Sequence, residues 1–456
     1  MQQLLSKMRI DMARRRSREA TRTPRQGTAR SDILARGFLA SLRRRWLVIA
    51  AAMVIVAAEV LLIKLAFSHI APLVGVAGDT GPLAYPCIAA TLVVAMLYGG
   101  QMAVAAGIAG GVCAALLDGF DLGVFLVSLC PTCVVAHCAP RITRRSQMAP
   151  IAVRTGLLQL PVLVLIILHP ALGGSGWGVA SAIAGVGLFY LALAASTVVC
   201  AAVLLPLAER ISHRLSNVSV ARYTDLESPL LRRLSLEAPG TYHHSMMVGD
   251  LAQAAAEAIG ASGVLARAGA YYHDIGKLAH PSYYMENQTG ATNPHDALPP
   301  NISRIILVNH VKEGLVLARL NALPRVLRRF IATHHGTSVA RWFLVKERER
   351  LAAKGEENER SDSPEDFFRY PGPLPVTKEE SIVSLADSVE ASSRSMRFFD
   401  KARIEEVVRG IVADRWSDGQ LAESEITEAE LAVVRASFEE TLVHLLHGRL
   451  PYPSAK

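Results

Sequence analysis

The stretch Ala270-Tyr-Tyr-His-Asp-Ile-Gly-Lys277 sets the reading of this chain. An Ala/Tyr-rich helical run over 262–275 carries into an adjacent His-Asp pair, His273-Asp274. Two neighbouring helix residues point about 100° apart, so both face one centre only if it sits against the helix end. A carboxylate can bridge two cations, which a neutral imidazole cannot do. Two bridged ions about 3.5–4 Å apart can direct water at phosphorus and bind phosphoryl oxygens. Further N and O donors of the kind transition metals prefer follow the same soluble stretch: His244, His310, His334, His335 and Asp387. Eight of the 14 histidines fall between 243 and 335, a clustering for which metal ligation is the chemical cause. The imidazole-rich set favours Fe or Mn over Mg, whose preference is oxygen and water.

Charge and hydropathy divide the chain. Residues 1–45 hold 13 Lys/Arg against Asp11, Glu19 and Asp32, a net of +10, while the whole chain is +8. Everything after residue 45 therefore sums to −2, and the basicity belongs to an N-terminal arm, not to a face for a nucleic acid polymer. Such an arm beside an apolar run belongs on the cytoplasmic side, against anionic lipid. It also has the look of a transit peptide, with nothing further in support.

Residues 46–208 contain long apolar runs. Six are expected to span the bilayer, each needing about 20 residues: 46–67, 82–99, 101–117, 122–140, 151–169 and 177–205. The second and third are short and separated by little more than Gly99-Gly100. Arg43-Arg44-Arg45, then Arg141, Arg144 and Arg145, then Arg210 and Arg214 flank one side, while 69–81, 118–121 and 170–176 have no Lys or Arg. Both termini are thus expected in the cytoplasm. Glu59 and Lys64 in the first span can pair or snorkel, and Pro86, Pro131 and Pro161 would kink or unwind their helices. All six cysteines lie in this half. Cys130, Cys133, His137 and Cys138 have metal-ligand spacing, although packing accounts for small thiols in a membrane helix equally well.

After an amphipathic connector, 209–240, the remainder reads as helical: 245–260, 262–275, 302–320, 324–335, 402–413 and 427–447. The 285–301 and charged 346–366 segments read as loops, and Asp418-Gly419 as a turn. The expected class is all-α: a basic arm (1–45), a six-span bundle (46–208), the connector, a helical metal-binding domain (241–400) and closing helices packed on it (401–456).

The His-Asp dipeptide alone is weak, but the words around it are specific. They are Glu237-Ala-Pro-Gly-Thr-Tyr-His-His-Ser-Met-Met-Val-Gly, Glu286-Asn-Gln, Asn293-Pro-His-Asp296, Asn309-His-Val-Lys312, His334-His-Gly-Thr-Ser338, Phe368-Arg-Tyr-Pro-Gly-Pro373 and Leu385-Ala-Asp-Ser-Val-Glu-Ala391. Together they resemble the HD phosphohydrolase superfamily. Within it they resemble the bacterial membrane-bound HD phosphodiesterases of the seven-transmembrane HD receptor type, PgpH-like, which hydrolyse cyclic di-AMP. The resemblance is close over 206–453 and looser over the apolar half. It implies two divalent transition metal ions. His244, His273, Asp274 and Asp387 would hold one, and Asp274, His310, His334 and His335 the other. Lys277 would stabilise the transition state or pair with Asp274. Arg394, seven residues after Asp387 on the same helix face, would reach a substrate phosphate. His243 has no ligand role, and His280 and His295 are expected at the surface or in loops.

The resemblance further implies an inner-membrane, multi-pass protein with a cytoplasmic HD domain. A homodimer is compatible with that, though no heptad pattern asks for it. Members usually carry a large extracytoplasmic domain after their first span, where this chain has about 13 residues and one span fewer. The His335–Asp387 segment is also longer than usual. Three alternatives stand beside cyclic di-AMP hydrolysis. Cyclic di-GMP hydrolysis is disfavoured because Arg369-Tyr-Pro-Gly stands later than the superfamily's Gly-Tyr-Pro word. A non-catalytic receptor is disfavoured because all seven ligands are intact. A transporter is disfavoured because few charges lie in the bundle.

Overall fold

The computed structural model describes residues 88–117, 122–168, 197–212, 214–288, 292–354, 364–394 and 401–447, together with Ala50 and Gly290. The chain divides into two compact units, Met1–Arg214 and Leu215–Lys456. The first and sixth expected spans, apart from Ala50 and 197–205, lie outside the described residues, as do the basic arm, Glu59, Lys64 and Pro86.

In the first unit, helices run over Ile88–Tyr98, Gly100–Leu117, Leu122–Cys138, Met148–Leu168 and 197–212. Gly99 takes φ +85°, a left-handed conformation that glycine adopts without steric cost, and so separates the first two helices where the sequence suggested a break. A Cβ on Gly100 would strike the Ala136 carbonyl oxygen, and one on Gly107 would strike the Thr132 side chain. Small residues thus let the 100–117 and 122–138 helices approach backbone to backbone. Neither Pro131 nor Pro161 ends its helix. Val199, Val203, Leu207 and Ile211 form an exposed apolar stripe at four-residue spacing. Among the described residues, no helix is long and apolar enough to cross a membrane. Cys133 and Cys138 are free thiols.

The second unit is helical throughout its described residues, with only an isolated bridge between Val339 and Arg369. Pro239–Ala258 opens on a proline, where no intrahelical N–H is needed, and stops near Gly260 at φ +72°. Ser262 caps Gly263–Tyr272 by accepting from the Leu265 amide. The helices Pro300–Leu320, Arg325–Thr333, Lys378–Ser393, Lys401–Ser417 and Glu428–His447 complete the frame.

These elements share one core. Leu251, Ala252, Tyr272, Ile275, Phe330, Ile331, Val383, Leu385, Phe438 and Leu442 are all buried in it, so the two closing helices are part of the same packed body. Each fully buried large apolar side chain contributes about 1.5–3 kcal/mol. The 378–393 helix is enclosed on every face between Glu380 and Asp387, which makes it the central element.

The expectation of a loop over 346–366 is corrected. Arg341–Lys354 is a helix and Pro364–Phe367 a short helical turn; 355–363 lie outside the described residues. Its charge pattern is that of a solvated helix face, with Arg350 and Glu347 paired at 2.7 Å. Its apolar side is anchored by Phe343 and Leu344, which pack with Val311, Phe368 and Tyr370. Within 285–301, short 3-10 turns at Met285–Asn287 and Pro294–Ala297 precede the Pro300 helix start. His295 is also corrected: it is buried, bonded through Nε2 to the Tyr283 carbonyl and packed edge-on to Phe343.

Candidate metal centre

Five helices and one 3-10 turn deliver the seven candidate ligands to one buried point. His244 lies in the second turn of the 239–258 helix. His273 is the residue at which the 263–272 helix ends, and Asp274 opens the 3-10 turn Ile275–Ala279. That change of winding turns the two adjacent side chains onto one centre. His310 comes from the 300–320 helix, His334-His335 from the end of the 325–333 helix, and Asp387 from the central helix.

Asp274 occupies the middle. Its Oδ2 lies 3.3 Å from His273 Nε2 and 3.6 Å from His244 Nε2, while Oδ1 lies 3.3 Å from His310 Nε2 and 3.6 Å from His334 Nε2. One carboxylate therefore turns a separate oxygen to each half of the cluster. Asp387 Oδ1 is 3.1 Å from His244 Nε2 and 3.7 Å from His273 Nε2, and its Oδ2 is 3.5 Å from His335 Nδ1. The groupings His244/His273/Asp387, His310/His334/His335 and His273/Asp274/His334 each bring their ligand atoms within 4.8 Å of one another.

The donor chemistry calls for cations. His310 Nδ1 is held by the Leu307 carbonyl at 2.6 Å and His334 Nδ1 by that of Ile331 at 2.9 Å. A carbonyl only accepts, so each neutral ring carries its proton on Nδ1 and aims a lone pair from Nε2. Those two Nε2 atoms are 3.1 Å apart, and without a shared proton or cation they repel. His273 Nε2 and Asp274 Oδ1 are buried without a hydrogen-bond partner. Buried polar atoms left without partners are costly, and divalent ions would satisfy them.

Electrostatics differ between the halves. Burial alone would depress His273, but Asp274 and Asp387 outweigh it and push it up to about 10. His244 is likewise raised against burial, by Asp387 and Glu390. Burial instead pushes His310 down to about 4, and burial together with the His334 ring lowers His335 well below its usual value. Burial would raise both carboxyls, yet Lys277 and His273 hold Asp274, and His244 and His273 hold Asp387, well below the ordinary range.

Lys277 is brought to the centre, with Nζ 2.7 Å from Asp274 Oδ2 and 2.7 Å from Glu286 Oε1. Burial opposes its charge, but those two carboxylates raise its pKa well above normal, so it stays an ammonium. Arg394 stands at the C-terminal end of the central helix, partly exposed. Its Nε donates to Glu390 Oε1 at 2.8 Å, and Glu390 Oε2 bonds His244 Nδ1. The guanidinium reaches the centre only through a carboxylate. His243 and His280 are exposed and take no part.

Sequence reasoning assigned no role to three residues here. Glu390 is fully buried, three positions after Asp387, a spacing that places it near the same face. Glu286 accepts from both Lys277 and Thr241 and stands in a quoted word of the sequence. Tyr370 lies against His335 with ring centroids 4.2 Å apart, a contact that no local pattern announces.

Comparison with known proteins follows the same lines. The family described as HD domain matches residues 241–392, and the family described as 7TM receptor with intracellular HD hydrolase matches 33–216. The cyclic-di-AMP phosphodiesterase PgpH of Bacillus subtilis (strain 168) is 44% identical over 241 residues, covering 53% of this chain and 33% of that protein. PgpH of Listeria monocytogenes serotype 1/2a is 40% identical over 252 residues, covering 55% of this chain and 34% of its own length. The chain thus spans about a third of the length of these curated relatives. The crystal structure of the L. monocytogenes PgpH HD domain in complex with cyclic-di-AMP is 42% identical, covering 48% of this chain and 98% of that one, with a TM-score of 0.45. The chain thus carries an HD domain at 241–392, preceded by a segment at 33–216 that matches the 7TM receptors with an intracellular HD hydrolase.

Proposed function

We propose that this protein is a membrane-anchored, metal-dependent phosphodiesterase that opens cyclic di-AMP to the linear dinucleotide pApA. The observation that carries the reading is Asp274 turning one oxygen to each of two ligand sets. The names of the 40–44% identical relatives support the substrate.

His244, His273, Asp387 and Asp274 Oδ2 would hold one cation, and Asp274 Oδ1, His310, His334 and His335 the other, with Fe or Mn suited to so many imidazoles. When bound, the pair would supply a nucleophilic water at neutral pH and neutralise charge on the phosphoryl oxygens. Water oxygen adds to phosphorus, the bond from phosphorus to the ribose 3′ oxygen breaks, and a proton goes to that leaving oxygen. The product keeps its 5′ phosphate. Lys277 is the chain's own cation at this point. It orients Asp274 and offsets the negative charge that develops at phosphorus. The Leu307 and Ile331 carbonyls fix the tautomers of His310 and His334 so that the ligand nitrogens already face inward.

The apolar half is read as a six-span bundle over 46–208 in the bacterial inner membrane, with both termini and the HD domain (241–400, closed by 401–456) in the cytoplasm. The exposed apolar stripe of Val199, Val203, Leu207 and Ile211 and the one-sided placement of arginines support it. The bilayer and a cyclic dinucleotide are the implied partners, and a homodimer would suit a signalling role.

The test uses the full chain in detergent, loaded with Mn or Fe and given cyclic di-AMP and cyclic di-GMP separately, with products resolved by chromatography. Release of pApA from the first, lost in Asp274→Ala, is the expected result. Preferential cleavage of cyclic di-GMP would overturn the substrate, and tight binding without turnover would make the protein a receptor.

A further inference from the structure

The histidines around Asp274 are not equally supported. His273, His310 and His334 each give Nδ1–H to a backbone carbonyl of their own helix, those of Ala270, Leu307 and Ile331. His244 alone among these four gives it to a carboxylate, Glu390 Oε2. The other Glu390 oxygen is held at 2.8 Å by Arg394 Nε, one helical turn on, so each carboxylate oxygen has its own partner. Glu390 is fully buried, with the His244 ring on one oxygen and the Arg394 guanidinium on the other.

A carboxylate accepting Nδ1–H makes the opposite nitrogen a stronger donor than a carbonyl does, and it also fixes the ring plane. The charges point the same way. The His244 half is faced by Asp387 Oδ1 and Asp274 Oδ2 with Glu390 behind its ring, while the His310 half is faced by Asp274 Oδ1 and, beside His335, Asp387 Oδ2, with no carboxylate behind the His310 or His334 ring. Lys277 subtracts from Asp274 Oδ2, but Glu286 offsets that ammonium at the same 2.7 Å.

We infer that Glu390, braced by Arg394, is a positioning residue that makes the His244–His273–Asp387 side the tighter of two unequal metal positions. The inference rests on the reading of the cluster as a two-metal centre, but not on which nucleotide it cleaves. On this assignment the weaker position, built from His310, His334 and His335, fills second and empties first. Arg394 then acts on the metal through Glu390 and does not touch a substrate phosphate.

The experiment is a titration of the full-length, chelator-stripped chain in detergent with Mn²⁺ alone, followed calorimetrically and by counting bound Mn. Wild type is expected to show two classes of site. Glu390→Gln keeps the side-chain size but replaces a charged acceptor with a neutral one. It should weaken the tighter class about 10–100-fold and leave the other unchanged. His334→Ala should abolish the weaker class and spare the tighter one. Arg394→Gln, at the half-exposed end of the relay, should produce a smaller loss in the tighter class and keeps the test open should Glu390→Gln fail to fold. Two equal classes in wild type would overturn the proposal. So would a loss in Glu390→Gln shared equally by both sites, no loss in that variant, or removal of the tighter class by His334→Ala. No nucleotide enters the titration, so a wrong substrate assignment leaves its outcome standing. Should the titration overturn the asymmetry, the turnover experiment is equally unaffected.

Discussion

Lys277 Nζ lies 2.7 Å from Asp274 Oδ2, so the carboxylate placed between the two ligand sets carries a permanent cation on the edge facing His244 and His273. Both groups are almost fully buried, and the pair is closed by Glu286, itself bonded to Thr241. The lysine is presented by the 3-10 turn that follows Asp274, not by a continued α-helix.

Removing that cation should impair chemistry more than assembly. Lys277→Met is expected to lower kcat by about 10²-fold or more, or about 2.7 kcal/mol of transition-state stabilisation, the usual cost of losing one preorganised electrostatic contact. Bound Mn should stay near the wild-type number, because Lys277 is not a ligand. Loss of metal in step with activity would assign the lysine to site assembly instead.

Metal binding should expel protons. In the metal-free protein His273 is pushed up to about 10 by Asp274 and Asp387, so its ring is protonated at neutral pH, and the same kind of carboxylate pairing raises His244. Ligation requires neutral rings, hence Mn²⁺ affinity should rise from pH 7 toward 10. His310, pushed down to about 4, releases none. A folded pKa above the ordinary 6.5 means that the His273 ion pair stabilises the metal-free fold fully below pH 6.5 and fades through about pH 10. Calorimetry in buffers of different ionisation enthalpy measures the release directly, and a buffer-independent heat at pH 7.5 would contradict it.

Gly276→Ala should collapse the centre without replacing any candidate ligand side chain. A Cβ there meets the His310 carbonyl and the Gly314 amide, both backbone of the 300–320 helix, so neither can swing aside. Overpacking of this kind costs about 1–3 kcal/mol and occasionally more. Reduced unfolding temperature together with lost Mn binding is the expected pair of results, and a variant with normal metal content would show the two segments free to separate.

Arg329→Met should destabilise the fold through a carboxylate far from the chemistry. Arg329 grips the buried Glu380 through two bonds, Nε to Oε1 at 2.5 Å and Nη2 to Oε2 at 2.9 Å, tying the 325–333 helix to the central one. A fully buried pair broken on one side costs about 3–5 kcal/mol. Arg329 is itself 42% exposed, so solvent reduces this to about 1–3 kcal/mol. Denaturant unfolding measures it, and a change under 0.5 kcal/mol, the usual limit for a neutral surface substitution, would show the pair contributes nothing.

Local pattern carried much of this protein. Helical periodicity and sparse strand signals marked an all-helical second half. The donor chemistry of His244, His273, Asp274, His310, His334, His335 and Asp387 marked a candidate cation centre from residue type alone, and the fold brings these side chains together. Both are short-range or compositional properties, legible without knowing which segments meet. The 346–366 segment misled because its charges are a solvated helix face, and only the burial of Phe343 and Leu344 against Phe368 and Tyr370 shows that a helix is worth forming there. His295 misled likewise, since a polar residue in a Pro/Asn-rich stretch gives no sign that Phe343 will cover it.

Arg394 shows the boundary most clearly. Its seven-residue spacing from Asp387 places it on the ligand-bearing face, and the sequence by itself determined that much. What it holds there was decided by the tertiary structure. Folding brings His244, 146 positions away, against Glu390 and buries that carboxylate. A buried charge needs partners at both oxygens, and Arg394, one turn along, is the cation in reach. Sequence spacing sets which side chains share a face. Desolvation, which depends on segments far apart in the chain, sets which of them must pair.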